Sequence, residues 1–395
     1  MHSVLKFNFK GRPVTRGWVE GLLAGDTKCG KSEVAEKMSA FLGLPKPVSC
    51  EAASFAGIFG GVKDVGGKFA ISWGVLARLD RRAAVLDEAT GLTVEQIGQM
   101  SGVRSSGVAQ LVKIESEKAM ARTRKLWMSN PRTDRNRRVT TYPYGVMVIP
   151  EIIGRAEDIS RFDIAQVASS EDVPLELLNA KERKDVKHRY TAEAAQAILA
   201  WAWTRTPEQV VWEKGVENLV LDEAVRQCGI YSSQIPLVEP GEQRYRIARI
   251  AVSLAARFHS TDKTGQLVVV KAEHVQLAVY FMEGLYDSPT TGYLAFSKSK
   301  AESERSLDQH KIMGMLDVLG QFSSLDVALD AVCHSEDLNR IVVMDYQQQP
   351  KFMAEMARLG LLSYGEGGRL SKTKLFSEFY RAARHRVGGK AKEAF

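Results

Sequence analysis

Residues 25–32 read GDTKCGKS and fit the pattern G-x-x-x-x-G-K-[ST]. Gly25 and Gly30 permit backbone torsions that turn successive N–H groups inward, making a nest for an anion. Asp26, Thr27, Lys28 and Cys29 fill the variable positions of the same cradle. Lys31 supplies a cation for the β- and γ-phosphates of a nucleotide, and the Ser32 hydroxyl is a ligand for Mg²⁺. An apolar run precedes the loop (18–24, WVEGLLA) and a helical pattern follows it (32–42). The loop is therefore expected between a strand and the positive end of a helix. A chance match to the pattern would not bring these flanking elements with it.

Two further groups fit the same chemistry. AAVLDE (83–88) delivers adjacent carboxylates at the end of an apolar run. Asp87 would hold hydrated Mg²⁺, and Glu88 would act as general base on an attacking water. The bland alternative is a strand closed by an acidic helix cap; the phosphate loop tips the choice toward chemistry. SNPR (129–132) closes another short apolar run, and the Asn130 amide could orient the same water. An Asn-Pro pair is also commonly a plain turn.

The elements that must position these groups alternate. Strand patterns fall at 4–10, 18–24, 82–86, 125–129, 144–149 and 163–168, with helical patterns between them. That alternation predicts a parallel sheet covered on both faces. From about 172 the pattern turns helical, at 191–204, 214–228, 242–258 and 271–286. A polar stretch, 296–307, reads as a linker. Helical segments at 308–320, 325–333 and 347–359 follow, then a turn at Gly360 and a Gly-turned hairpin, which predicts a winged helix-turn-helix.

The composition excludes several classes. The 395 residues suggest two or three domains; 45% are apolar and 26% charged, as in ordinary globular proteins. No apolar run reaches 18 residues, so a membrane span is not expected. Cys29, Cys50, Cys228 and Cys333 show no C-x-x-C spacing, which argues against a zinc site or disulfide framework and fits a reducing cytoplasm. The seven histidines lack metal-ligand spacing. The net charge of +7 is a small surplus of 54 basic over 47 acidic residues. Basic runs at 118–138, 181–189 and 369–392 are solvated faces or contacts to a phosphate backbone.

With these motifs in order, the chain resembles the minichromosome maintenance (MCM) branch of AAA+ ATPases. The likeness rests on the phosphate loop, Asp87-Glu88, A-R-T-x-x-L-x-x-x-N-P (121–131) and S-R-F-D (160–163), and spans roughly 20–260. Residues 57–88 resemble that family's helix-2 insert and the strand after it. The resemblance implies an α/β fold: an AAA+ αβα sandwich with a parallel sheet (1–172), a helical linker and lid (173–295) and a C-terminal winged helix-turn-helix (296–395). It implies Asn130 as sensor 1 and Arg161 as an arginine finger reaching a neighbouring subunit's ATP. Arg244 is implied as sensor 2, with Arg246 and Arg249 as nearby alternatives. Gln110 is implied as a polar sensor acting in trans, and Lys118 as the DNA-contacting residue of a hairpin. Lys63 and Lys68 belong to a second channel loop.

The departures are a short stretch from Lys118 to Asn130, which predicts a small hairpin, and no counterpart of the family's N-terminal DNA-binding domain. The expectation is a minimal natural form, or the C-terminal part of a primase–helicase of mobile-element or phage type. Function is expected as an ATP- and Mg²⁺-dependent DNA helicase or translocase in replication, acting as a homo-hexamer on single- or double-stranded DNA away from membranes. The rivals are an ATP-switched initiator or loader that grips DNA without unwinding it, and an AAA+ protein remodeller.

Overall fold

The computed structural model describes all residues except 67, 113–115, 133–137, 175–189, 232, 365–369, 374, 378, 381–382 and 384–395. The chain packs as two units, Met1–Lys298 and Ser299–Phe395. In the first, five parallel strands form the central sheet: β1 (Glu20–Gly25), β2 (Val48–Ser49), β3 (Ala83–Asp87), β4 (Arg124–Ser129) and β5 (Ile164–Ala168), in the order β5-β1-β4-β3-β2. Strands buried on both faces read as continuous apolar runs; Ala83, Ala84, Val85 and Leu86 are all buried, as are Trp127 and Met128.

The strand order positions the candidate site. Because β4 lies between β1 and β3, the carboxyl ends of three strands stand side by side, with Ser129 opposite Ala24 and Trp127 opposite Leu86. Gly25, Asn130 and Asp87 therefore converge on one edge of the sheet. Helix α1 (Lys31–Phe41) springs from that edge. A helical layer follows, with α2 (Ala192–Trp203), α3 (Val216–Ile230), α4 (Gln243–Arg257) and α5 (Ala272–Tyr286). Ten residues of α4 are buried, so it is the spine of this layer.

Three antiparallel hairpins leave the first unit's core: Asn8–Phe9 with Arg12–Pro13, Gly60–Val65 with Lys68–Trp73, and Val108–Val112 with Ser116–Met120. In the second unit, the end of α6 (Tyr293–Leu319), α7 (Leu325–His334), α8 (Gln349–Arg358) and the hairpin Leu362–Tyr364 with Leu370–Lys372 share a core around Leu319, Val332, Phe352, Met356 and Phe379.

Three segments differ from the sequence expectation. Residues 144–149 are not a strand but a 3₁₀ turn, Gly145–Met147, leading into the helix Val148–Ile153. Val148, Ile149, Ile152 and Ile153 are all fully buried, and a short apolar run buried all round carries no periodicity to separate strand from helix. Residues 296–307 are not a linker; they lie inside α6. Their Lys, Glu, Ala and Ser content is polar, yet most of these types are good helix formers. In 4–10 only Asn8–Phe9 pairs as a strand, because Gly11 turns the chain straight back.

At the amino ends of the strands lies a buried ionic cluster. Glu20 and Asp163 are both fully buried, and each backbone N–H bonds to the other residue, Glu20 N to Asp163 Oδ2 at 2.7 Å and Asp163 N to Glu20 O at 2.8 Å. Arg104 Nε pairs with Glu20 at 2.7 Å. Arg16 and Arg249 pair with Asp163 at 2.9 and 2.7 Å. Burial alone would raise both carboxyl pKa values, but the surrounding cations reverse this and hold both below the usual range. A lowered folded pKa means the stabilisation is present at neutral pH. It is lost as pH falls below the ordinary carboxylate value toward the lowered one.

Asp163→Asn leaves Arg16 and Arg249 buried beside a neutral amide. Removing one partner of a buried pair costs about 3–5 kcal/mol, so urea unfolding at pH 7 is expected to show a loss of that size. The gap to wild type should narrow in acid. A variant as stable as wild type would contradict this role for Asp163.

Candidate active site

The phosphate loop has the shape its residues call for. Gly25 ends β1 against β5, where a Cβ would lie 2.4 Å from the Ala168 carbonyl oxygen, so no side chain fits. Gly30 caps α1 at φ 79 with open space around it, and Lys28 also takes a positive φ of 66. No side chain caps this helix. By contrast Ser54, Thr93 and Thr191 cap their helices with hydroxyls. The first-turn N–H groups of α1 thus stay available, and with the helix dipole they make an anion site.

Lys31 is the centre of this edge. Its Nζ donates to Gly25 O at 3.0 Å, Asp26 O at 2.6 Å and Asn130 Oδ1 at 2.8 Å. It therefore bridges the phosphate loop and the end of β4. Ser32, Thr27 and Lys28 are exposed at the mouth, and Cys29 lies with its Sγ 3.4 Å from Lys31 Nζ. The Asp26 side chain turns inward instead. It accepts from Val139 N at 2.7 Å, Ser170 N at 3.0 Å and Ser169 Oγ at 3.1 Å, so only its backbone belongs to the cradle.

The two carboxylates stand at the end of β3. Asp87 Oδ1 accepts from Glu88 N at 2.9 Å. Glu88 has φ 53, a left-handed conformation that costs a non-glycine residue about 1–2 kcal/mol. That turn carries its carboxylate to Ser49 on β2, whose hydroxyl donates to it. Nearby, burial first and then the charges of Asp87 and Glu88 push the Cys50 thiol up to about 12, so it stays protonated and inert. Ser49 carries no sequence motif, and only the pairing of β2 with β3, which sets Ser49 opposite Asp87, reveals it.

Arg161 and Arg244 lie elsewhere. Arg161 precedes β5 at the amino ends of the strands, the opposite edge from Lys31. The β1–β5 pairing from Gly21 to Gly25 alone spans about 13 Å. Arg161 Nη2 donates to Ser101 Oγ at 2.7 Å, and Arg16 Nη2 holds its backbone carbonyl at 3.0 Å. Arg161 and Arg244 line one cleft of about 780 Å³. Arg244, the residue implied as sensor 2, is exposed near the start of α4 and stacks over Tyr245 at 4.8 Å. Of its two alternatives, Arg246 is fully buried and bonds to the carbonyls of Leu237 and Ser160, and Arg249 is committed to Asp163.

The basic hairpin residues are exposed. Lys118 pairs in register with Gln110, and both face solvent. Gln110 Nε2 donates to Ser116 Oγ at 2.9 Å. Lys63 is exposed on its own hairpin, and Lys68 lies on the paired strand with a side chain outside the described residues. The basic run 181–189, with Arg135 and Arg137 and most of the basic tail, also lies outside them.

Among the described residues no three His, Cys, Asp or Glu side chains cluster as a metal site, and no helix is long and apolar enough to cross a membrane. Ser32 and Asp87 nevertheless suit Mg²⁺, since a phosphate-loop site takes one hydroxyl, one carboxylate and the substrate's own oxygens. Compared with known proteins, the chain matches no family model and no curated sequence.

Lys31→Ala removes the cation while leaving a partly exposed surface position. Its melting temperature is expected within a few degrees of wild type, and titration with a non-hydrolysable nucleoside triphosphate should show affinity reduced at least tenfold. Undiminished affinity would remove the loop from phosphate binding.

Proposed function

We propose that the chain is an ATP-hydrolysing DNA motor of MCM-like AAA+ type that works as a ring, hexameric by its resemblance. The observation that carries this reading is the Lys31–Asn130 contact: a phosphate-loop lysine joined to a polar amide just past the end of the strand inserted between it and two acidic residues. That arrangement supports γ-phosphate sensing together with hydrolysis. The hairpin after the helix Phe55–Ile58 and the hairpin bearing Lys118 agree with the family resemblance. The winged helix-turn-helix and the DNA partner rest on that resemblance, on the basic tail and on the exposed Lys63 and Lys118.

Lys31 exchanges its carbonyl partners for phosphate oxygens when a triphosphate enters the nest. Ser32 and Asp87 are the pair that would hold Mg²⁺, which supplies charge neutralisation at the β- and γ-phosphates. Glu88 leaves Ser49 and takes the proton of the attacking water, which Asn130 orients. Arg161 cannot reach its own Lys31, so it neutralises transition-state charge on a second copy. Loss of the γ-phosphate frees Asn130 and moves β4, which follows directly on the Lys118 hairpin. An exposed lysine there grips a phosphate backbone without reading sequence.

Glu88→Gln keeps ATP binding and should lower turnover by about 10²–10⁴-fold, the range of general-base catalysis; steady-state phosphate release against nucleotide binding tests it, and unchanged turnover would remove Glu88 as base.

Arg161→Ala should bind ATP normally and hydrolyse it at least about 10³-fold more slowly. Mixing it with Lys31→Ala should recover part of the activity, because some interfaces then carry both intact groups. Mixed rings with no recovery would contradict action in trans.

Lys118→Ala should weaken single-stranded DNA binding evenly across sequences and flatten its salt dependence, with DNA-independent hydrolysis intact. Unchanged binding in a salt series would move the DNA grip away from this hairpin. DNA-stimulated hydrolysis without strand displacement in the wild type would turn the reading to an ATP-switched loader.

A further inference from the structure

The cleft shared by Arg161 and Arg244 has a third wall that no motif marks. The hairpin Asn8–Phe9 with Arg12–Pro13 forms it, and Arg12 lines the cleft. Its side chain is exposed and makes no hydrogen bond or ion pair among the described residues. Among the described residues the Arg244 side chain has only the Tyr245 ring. Arg161 has a hydroxyl and a distant carboxylate, Asp158 at 3.7 Å. The deeper arginines, Arg16, Arg104 and Arg249, are neutralised by Glu20, Asp158 and Asp163. Three guanidinium groups without strong anionic partners thus share one concavity, against the carboxylates Glu157 and Glu242. Glu242 also lies 3.7 Å from Arg249.

The hairpin that presents Arg12 is fixed. Trp212 Nε1 donates to Asn8 O at 2.9 Å. Phe9 packs edge-on against Trp212 at 5.5 Å and against Tyr245 at 6.1 Å. Lys10 is held by Glu217 and Asn218 at the start of α3. The Tyr245 ring carries Phe9 on one contact and Arg244 on another, so Arg12 and Arg244 sit on elements locked through a single side chain. Clustered like charges repel unless an anion neutralises them, and a planar guanidinium on a rigid support loses little freedom when it binds phosphate.

We propose that Arg12 is a third phosphate-facing cation of the interface, acting with Arg161 and Arg244 on the triphosphate held by a second copy of the chain. This rests on the ring-ATPase reading, and the phosphate end of the partner copy is the occupant of the cleft. The N-terminal hairpin then couples the helical layer to the partner's nucleotide: repacking Trp212 or Tyr245 moves two of the three cations together.

The test compares Arg12→Ala, Arg12→Lys and Arg161→Ala in the full chain, measuring ATP hydrolysis and binding of a fluorescent ATP analogue. Arg12 is exposed and unpaired, so its substitution leaves the fold intact. Arg12→Ala is expected to bind ATP at its own Lys31 normally and to lose turnover at least tenfold, with Arg12→Lys in between. Mixing Arg12→Ala with Lys31→Ala chains should restore activity, because intact Lys31 then meets intact Arg12. Normal turnover by Arg12→Ala beside a crippled Arg161→Ala would overturn this proposal and leave the ring reading standing. Lost turnover without recovery in mixed rings would place Arg12 in its own chain's site and overturn the proposal as well. Normal turnover by both variants, or none by the wild type, would remove the ring reading and this proposal with it.

Discussion

Two buried carboxylates, Glu20 and Asp163, set the frame on which everything else hangs. They are tied to each other through the backbone at the amino ends of β1 and β5 and surrounded by three arginines and a lysine from four parts of the chain. Arg16 comes from the segment before β1, Arg104 from the short helix before the Lys118 hairpin, Arg249 from α4, and Lys125 from the start of β4 at 3.7 Å. Such charges are expensive to bury and tolerable only when fully paired. That condition forces the hairpin base, the helical layer and β4 into one fixed relation with the sheet. Arg104 is further sandwiched over Trp127 and Phe162, at 5.1 and 4.5 Å from their ring centres.

The frame gives the first unit two chemically opposite ends. At the carboxyl ends of the strands, open N–H groups and Lys31 await an anion, with acidic residues alongside. At the amino ends, arginines exceed their partners and face an open cleft. About a strand's length separates the two ends. In the proposed ring each end is half of a site, and one copy completes what the next lacks. Arg161 is held within the single chain by Ser101 at its guanidinium and by Arg16 at its carbonyl; for the proposed role in trans, that is the condition under which a cation stabilises developing charge without reorganising.

The local features were legible in the sequence because their causes are local. The phosphate loop, the strands expected at 18–24, 82–86, 125–129 and 163–168, and the helices expected from 191 to 286 follow from glycine placement, apolar runs and helical spacing, and lie within a residue or two of the observed elements. Residues 144–149 are not legible because a run buried on every side has no pattern to read, and in 296–307 a polar composition is as compatible with a helix as with a linker. Ser49 was invisible because it acts through strand pairing across 39 residues. The inward turn of Asp26 depends on Val139 and Ser169, far along the chain. Asp163 was seen only as part of a motif, and its role appears once Arg249 is brought to it from α4.

The account stands or falls on the claim that neither end of the sheet works alone. The most direct measurement is the rate of ATP hydrolysis per chain of the wild-type protein across a wide dilution series, with assembly state followed in parallel. The account predicts that turnover per chain falls steeply as dilution separates the copies, and recovers when they are concentrated again. Turnover per chain that stays constant down to the fully dissociated chain would contradict it.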